Sequence, residues 1–320
     1  MENKRYLIVT HGVDIDGMGP IVLARAAFGA GNIDAYFVNN VAETSDAVMK
    51  ALSKIDEYDR VFVTDVCPSF ETLSTIDGNE EYKGKVRIFD HHKYVLTDTL
   101  GGKENPFKFL KIEERGKNGP TCGTELFYEF LLSKGKLERT ELLDELIENT
   151  RQYDTWDWKK TNNQNAWGLN VLFCKLGKVG YIENIGKKAV LGAGLFSLQE
   201  QKMIEQEKQK LVRACDEMIE NMHLENVLGF NIGVIDSATD ELKNDISERI
   251  REKGGLGIDA VAMLITARNS ITMRTIAKGF DCSEFAKNYG GGGHAAAAGI
   301  PFSDEALSAF KFNIKQKEDQ

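Results

Sequence analysis

Three short apolar runs in the first ninety residues lead straight into aspartate or histidine. YLIVT (6–10) is followed by His11, with Asp14 and Asp16 just beyond; RVFVT (60–64) by Asp65; VRIF (86–89) by Asp90, His91 and His92. Between them lie the amphipathic stretches GMGPIVLARAAF (17–28), TSDAVMKALSKI (44–55) and SFETLSTI (69–76), and one further apolar run, DAYFVN (34–39). Short strands alternating with helices predict βαβ units and a parallel sheet. Ligands of an open parallel sheet bind beyond the carboxyl ends of its strands. The three polar ends are therefore expected to converge on one edge.

Farther along, TCGTELFYEFLLSKG (121–135) and RTELLDELIENTRQYDTWDW (139–158) carry apolar residues at helical spacing. Residues 195–225 contain neither Pro nor Gly and read as one long charged helix. A second β-rich segment follows: VLGFNIGVID strand, ELKNDISERIREKG helix, IDAVAMLITA and SITMRTIA strands, then a Gly-rich turn and a last helix. The expected organisation is an α/β chain in three parts: residues 1–190 as a parallel-sheet domain, 191–225 as a helical connector, and 226–320 as a smaller α/β domain.

The 320 residues carry a formal charge of −9, and none of the three parts is basic. Tight non-specific binding to long nucleic acid rests on many phosphate contacts, so it is disfavoured. A small anion held by a few local cations, or by metal ions, fits better. No apolar run reaches the ~18–20 residues of a membrane span. The five cysteines form no CxxC pair, which points to a reduced, cytoplasmic setting.

Each polar strand end also has an ordinary explanation. Asp14 and Asp16 suit a turn or helix cap, and Asp65 suits a cap for the helix after Pro68. Three such ends together, with two adjacent histidines, favour a metal site. The donors are mostly carboxylate with some imidazole and no thiolate, which suits Mn²⁺, with Mg²⁺ or Co²⁺ as substitutes. At least four gathered carboxylates repel one another, and two cations sharing an aspartate would offset that. A dinucleotide site is excluded locally, because the first turn lacks GxGxxG and carries two aspartates where a pyrophosphate would sit.

HGVDIDGMG, VFVTDVCPS, FDHHK and RQYDTWDW, in that order, resemble the four motifs of the DHH phosphoesterase superfamily. ITMRTI followed by YGGGGHAAAAG resembles its C-terminal DHH-associated domain, and the likeness spans residues 5–302. Within the superfamily the chain is most similar to bacterial nano-RNases of the NrnB and NrnA type, relatives of the RecJ exonucleases. The resemblance implies two Mn²⁺ ions, with His11 and Asp14 on one, Asp16, His91 and Asp154 on the other, and Asp65 bridging. It also implies His92 facing the scissile phosphate or the bridging water, Asp90 orienting its neighbours, and a metal-bridging hydroxide as nucleophile. His11 and Asp14 are three residues apart, where many relatives have four. Asp157, read as sharing a helix face with Asp154, is the spare ligand. Arg274 and the loop Gly291, Gly292, Gly293 and His294 would hold substrate phosphate.

The expected function is hydrolysis of short oligonucleotides (nano-RNA) to nucleoside 5′-monophosphates. The alternatives are phosphatase action on 3′-phosphoadenosine 5′-phosphate, cleavage of linear or cyclic dinucleotides, and non-catalytic nucleotide or RNA binding. Inorganic pyrophosphatases share the first half of the motif set but lack the GGGGH element. Expected partners are short RNA or DNA oligonucleotides or small phosphorylated nucleotides. Dimers are common among such relatives, so a homodimer is a further expectation.

Overall fold

The computed structural model describes residues 4–117 and 119–312. The chain forms two compact units, Met1–Ile204 and Glu205–Gln320, and the division falls within a single helix.

The first unit begins β1(Tyr6–His11), α1(Ile15–Phe28), β2(Ile33–Val38), α2(Val41–Leu52), β3(Arg60–Thr64), α3(Phe70–Asp77), α4(Glu80–Lys85), β4(Val86–Asp90) and β5(Leu110–Ile112). The five strands form one sheet in the order β2-β1-β3-β4-β5, every pair parallel. Parallel strands are covered on both faces, so they read as continuous apolar runs. Alternate residues feed two cores. Ile8, Phe62 and Phe89 pack on one side; Leu7, Val9, Val61, Val63 and Ile88 pack on the other. The chain leaves β1 toward β2 on one flank and returns to β3 on the other. The crevice at such a switch point opens where the strands end, between β1 and β3.

A small hairpin, β6(Arg115–Gly116) and β7(Gly119–Pro120), leads into four helices: α5(Gly123–Ser133), α6(Glu141–Asp154), α7(Asp157–Thr161) and α8(Gln164–Leu191). α8 was not anticipated from sequence. It bends at Gly177, whose φ of 65° and ψ of 175° leave the helical region. α1 is buried all round its first turns, as a central helix must be. Pro20 removes the N–H that would bond Asp16 O, and Thr124 Oγ1 donates to that carbonyl instead at 2.6 Å.

α9(Leu198–Glu220) leads into the second unit. Its helix is shorter than the reading of 195–225, because residues 223–225 already belong to a strand. β8(His223–Val227), β9(Phe230–Ile235), α10(Lys243–Glu252), β10(Ala260–Ile265), β11(Ser270–Thr275), α11(Cys282–Lys287), β12(Gly292–His294), β13(Ala297–Pro301) and α12(Asp304–Phe310) follow. The sheet runs β12-β13-β11-β10-β9-β8 and is mixed, with β9 and β10 parallel and the other pairs antiparallel. Two readings need correction here. VLGFNIGVID is a hairpin arm plus its turn, not one strand. The Gly-rich turn is in large part edge strand β12. The segment survives as a strand because two of its glycines permit close backbone approach. A Cβ at Gly291 would overlap Gly299 O, and one at Gly293 (φ 150°) would lie 2.6 Å from Ala297 O. All five cysteines are unpaired. Among the described residues no helix is long and apolar enough to cross a membrane.

Candidate metal centre

The carboxyl ends of β1, β3 and β4 carry the site. After β1 the backbone turns at Asp14, which N-caps α1 through Oδ1, accepting from Gly17 N at 2.9 Å. Its other oxygen, Oδ2, lies 2.8 Å from His11 Nδ1. The capping explanation of Asp14 and its place beside His11 therefore hold together, one oxygen for each. Asp16 sits in the first turn of α1 and is fully buried. Its two oxygens accept from Gly123 N at 2.7 Å and Thr124 N at 2.8 Å, the first amides of α5. These unpaired helix-end donors fix the carboxylate and favour its charge.

Asp65 follows β3 at φ 60°, a conformation that costs a non-glycine residue about 1–3 kcal/mol. It is held there by its N–H to Phe89 O at 2.9 Å and by the close approach of α5. A Cβ on Gly123 would lie 2.7 Å from the Asp65 Cβ, so only glycine admits the helix end so near. The two oxygens of Asp65 diverge. Oδ2 lies 3.6 Å from His11 Nδ1; Oδ1 lies 3.2 Å from His91 Nε2. His91 Nε2 is also 3.8 Å from Asp16 Oδ2 and 3.5 Å from Asp154 Oδ2.

Three donor groups result: His11, Asp14 and Asp65; Asp16, His91 and Asp154; and Asp65, His91 and His92. Donors bound to one cation at about 2.0–2.2 Å lie no more than ~4.4 Å apart. The pair distances above, 2.8–3.8 Å, fall within that limit. Oxygen-rich donors with imidazole, and Asp65 shared between two groups, fit a pair of hard divalent cations.

Asp90 stands outside all three groups. It is fully buried, and its Oδ1 accepts from His91 N at 2.7 Å, His92 N at 3.0 Å and His92 Nδ1 at 2.8 Å. It thus sets the histidine turn and places the His92 proton on Nδ1, leaving Nε2 to accept. Tyr94, which sequence reasoning missed, donates to Asp90 Oδ2 at 3.4 Å and accepts from Cys67 N at 3.1 Å.

Burial and crowding of like charges shape the electrostatics of the centre. Burial, reinforced by Asp16, pushes Asp65 well above the usual carboxylate range despite its bond to His11. Burial pushes Asp16 up too, but His91 and the hydrogen bonds of Asp65, Cys122 and Thr124 outweigh it and leave Asp16 low. Burial and then Asp16 raise Asp154 to about 7. The hydrogen bonds to Asp14 and Asp65 raise His11 to about 10. Each shift follows from burial and from the crowding of carboxylates around one another and around His11 and His91.

Asp157 is not on the face of Asp154. The helix stops at Asp154, the chain passes through Trp156 at φ 60°, and Asp157 opens α7 with its oxygens on Arg151 and Lys160. The signal was a second, local salt-bridge partner set, which periodicity does not report. Lys178 was also unread: its Nζ lies 4.7 Å from the Phe37 ring centre and 3.2 Å from where a Cβ on Gly12 would be, next to His11.

In the second unit, Arg274, Ala297 and His294 form one row across β11, β13 and β12. Directly paired antiparallel residues share a sheet face. Arg274 and His294 therefore flank a small side chain. His294 is exposed, whereas Arg274 is half-buried, giving Nε to Asn244 Oδ1 at 3.0 Å and Nη1 to Met273 O at 2.8 Å. Gly292 and Gly293 are exposed in β12, with Gly291 just before it.

No protein-family model matches the chain. Among curated proteins, the oligoribonuclease NrnB of Bacillus subtilis (strain 168) is 30% identical over 312 residues, covering 95% of this chain and 75% of that protein. Among solved structures, the pGpG-specific phosphodiesterase PggH of Vibrio cholerae has a TM-score of 0.52 at 15% identity, with 95% of each chain covered. The DHH domain of a member of the s1p family of ribosomal proteins has a TM-score of 0.56 at 15% identity, covering 97% of this chain and 86% of that one. At such identities the two structures speak to the fold alone.

Proposed function

The chain belongs to the DHH phosphoesterase superfamily, in its NrnB type, and from that premise we propose that it hydrolyses short oligonucleotides to nucleoside 5′-monophosphates with two divalent cations, Mn²⁺ foremost. It is a phosphoesterase of the nuclease and phosphodiesterase class. The oligonucleotide substrate is supported by the name of the curated relative, and the short length by the acidic charge of −9.

The observation that carries the two-cation reading is the divergence of the Asp65 oxygens toward separate donor groups. His11 and Asp14 would hold one ion with Asp65 Oδ2. Asp16, His91 and Asp154 would hold the other with Asp65 Oδ1. Bound there, the ions supply Lewis acidity, an activated water and charge neutralisation. The chain's own part is positional. Gly123 and Thr124 amides fix Asp16, and Asp90 fixes the His92 ring. His92, so oriented, would face the scissile phosphate or the bridging water. We assign Arg274, Gly291, Gly292, Gly293 and His294 to substrate phosphate, the row of Arg274 and His294 supporting that role.

The test is Mn²⁺-dependent release of mononucleotides from labelled RNA dimers to pentamers, with 3′-phosphoadenosine 5′-phosphate, a cyclic dinucleotide and pyrophosphate alongside. Oligomer cleavage stopped by chelator is expected, and Asp65→Ala should lower it roughly a thousandfold or more while the far-UV spectrum stays unchanged. Turnover confined to the bisphosphate would replace the oligonucleotide reading, and a fully active Asp65→Ala protein would end the two-cation one.

A further inference from the structure

At the opposite end of the same strands the first unit holds a second concavity, an open cleft of about 1090 Å³. Tyr6 opens β1 and lines it; His11 closes β1 and lines the metal centre. Five residue rises of about 3.3 Å put roughly 17 Å between them. The cleft lies on the sheet face of Phe62 and Phe89, under the ends of α1 and α5.

Its lining carries eight lysines and arginines against three carboxylates, in a chain whose net charge is −9. Six of the cations, Lys4, Arg60, Arg87, Lys108, Lys134 and Lys136, have no carboxylate partner within 4.0 Å among the described residues, whereas Lys85 and Lys111 do. Elsewhere ion pairs to carboxylates hold half of the arginines, Arg139, Arg151 and Arg249 among them. The C-terminal end of α5 accounts for Lys134 through the helix dipole. It does not account for Arg60, Arg87 and Lys108, which arrive from the starts of β3 and β4 and from the loop before β5. Arg60 and Arg87 each give Nη1 to a backbone carbonyl around the end of α4, of Gly84 for Arg60 and of Lys83 and Val86 for Arg87, which anchors both guanidinium groups side by side. Burial, and then the charge of Arg60, hold Arg87 below the ordinary arginine range.

The apolar wall is aromatic. Tyr6 and Phe28 stack at 4.0 Å and are half-buried, and Phe130 closes the wall beside Phe62. The volume stands at the top of the range for small-ligand clefts, far larger than a single phosphate needs. We propose that this cleft is a second anion site, separate from the metal centre, for a nucleotide carrying two or more phosphates. The phosphates lie against Arg60, Arg87 and the Lys134–Lys136 rim, and the base lies against Tyr6 and Phe28. A free nucleoside polyphosphate and the phosphorylated end of an oligonucleotide share that chemistry. The site does not rest on the identity of the hydrolysed substrate.

The test uses the full chain stripped of metal by chelator, so that the acidic centre repels anions. Binding of ATP, tripolyphosphate, adenosine and a 5′-phosphorylated dinucleotide is measured by calorimetry. ATP is expected to saturate one site, more tightly than tripolyphosphate, with adenosine silent. Lys134→Glu/Lys136→Glu and, separately, Arg87→Gln should each weaken ATP at least tenfold. The lysine pair is exposed, so the first variant tests the site even if the second folds poorly. Its Mn²⁺-dependent cleavage of short oligonucleotides, compared without added ATP, should equal that of the parent. A dinucleotide that binds more tightly than ATP and is lost in the same variants would support the site and identify the strand end as its source. No saturation by ATP, or affinity unchanged in both variants, would overturn the proposal; tripolyphosphate equal to ATP would overturn the role of the aromatic wall.

Discussion

Asp90 holds the His92 ring by Nδ1, the nitrogen that also lies 3.9 Å from Asp65 Oδ1. Asp90 belongs to none of the three donor groups yet holds His91 and His92 by hydrogen bonds, so its removal separates orientation from metal binding. Asp90→Asn should lower kcat by about 10–100-fold, with Mn²⁺ stoichiometry preserved; a variant that loses the metal instead would place Asp90 among the ligands. The raised proton affinities of Asp154 and His11 make a second prediction. A ligating group must be deprotonated to bind a cation. Asp154 holds its proton up to about 7 and His11 up to about 10. Mn²⁺ must displace both, so affinity should rise with pH from 6 through 9, the first proton mattering mostly below 7. Calorimetry in buffers of different ionisation enthalpy reads the protons released, and heats independent of buffer would contradict the scheme.

Between β3 and α5 the decisive contact is backbone against backbone. The N-terminus of α5 lends two amides to Asp16 and simultaneously presses on Asp65. A methyl at 123 enters a space 2.7 Å from Asp65 Cβ and 2.8 Å from its Cα. Gly123→Ala should therefore destabilise the protein by about 1–3 kcal/mol through overpacking. Its loss of activity should exceed its loss of stability, because the aspartate shared by both donor groups is displaced. Denaturant melts beside kcat measure the two effects, and an active, normally stable alanine variant would show that α5 can retreat.

Taken whole, the molecule keeps its metal donors in one of two units. Met1–Ile204 contains every residue of the three donor groups. Divalent cations bound to the native state alone stabilise it by about 2.7 kcal/mol at a hundredfold excess over Kd. For a unit of this size that is roughly 5–10 °C in Tm. Calorimetry with and without Mn²⁺ should show that rise in the transition of the first unit, with none in a transition of Glu205–Gln320 where the two melt separately. Equal shifts in both would mean that the units unfold as one.

Much of this was legible from order along the chain. The parallel sheet and its polar edge follow from apolar runs ending in Asp or His, since strand direction alone sends those ends to one side. The sequence by itself also supplied the residue types of the donor set and, through four ordered motifs, Asp154. What periodicity cannot see is the break at Trp156, where a left-handed residue turns Asp157 onto Arg151 and Lys160. Nor can it see that a glycine strand survives at residues 292–294 by backbone proximity, or that 223–225 leave the helix for the sheet. Only the tertiary structure decided which oxygen of Asp65 faces which histidine. It alone gathered cations from β3, β4 and α5 into a basic cleft on an acidic chain, because charge adds up by position in space and not by position in sequence.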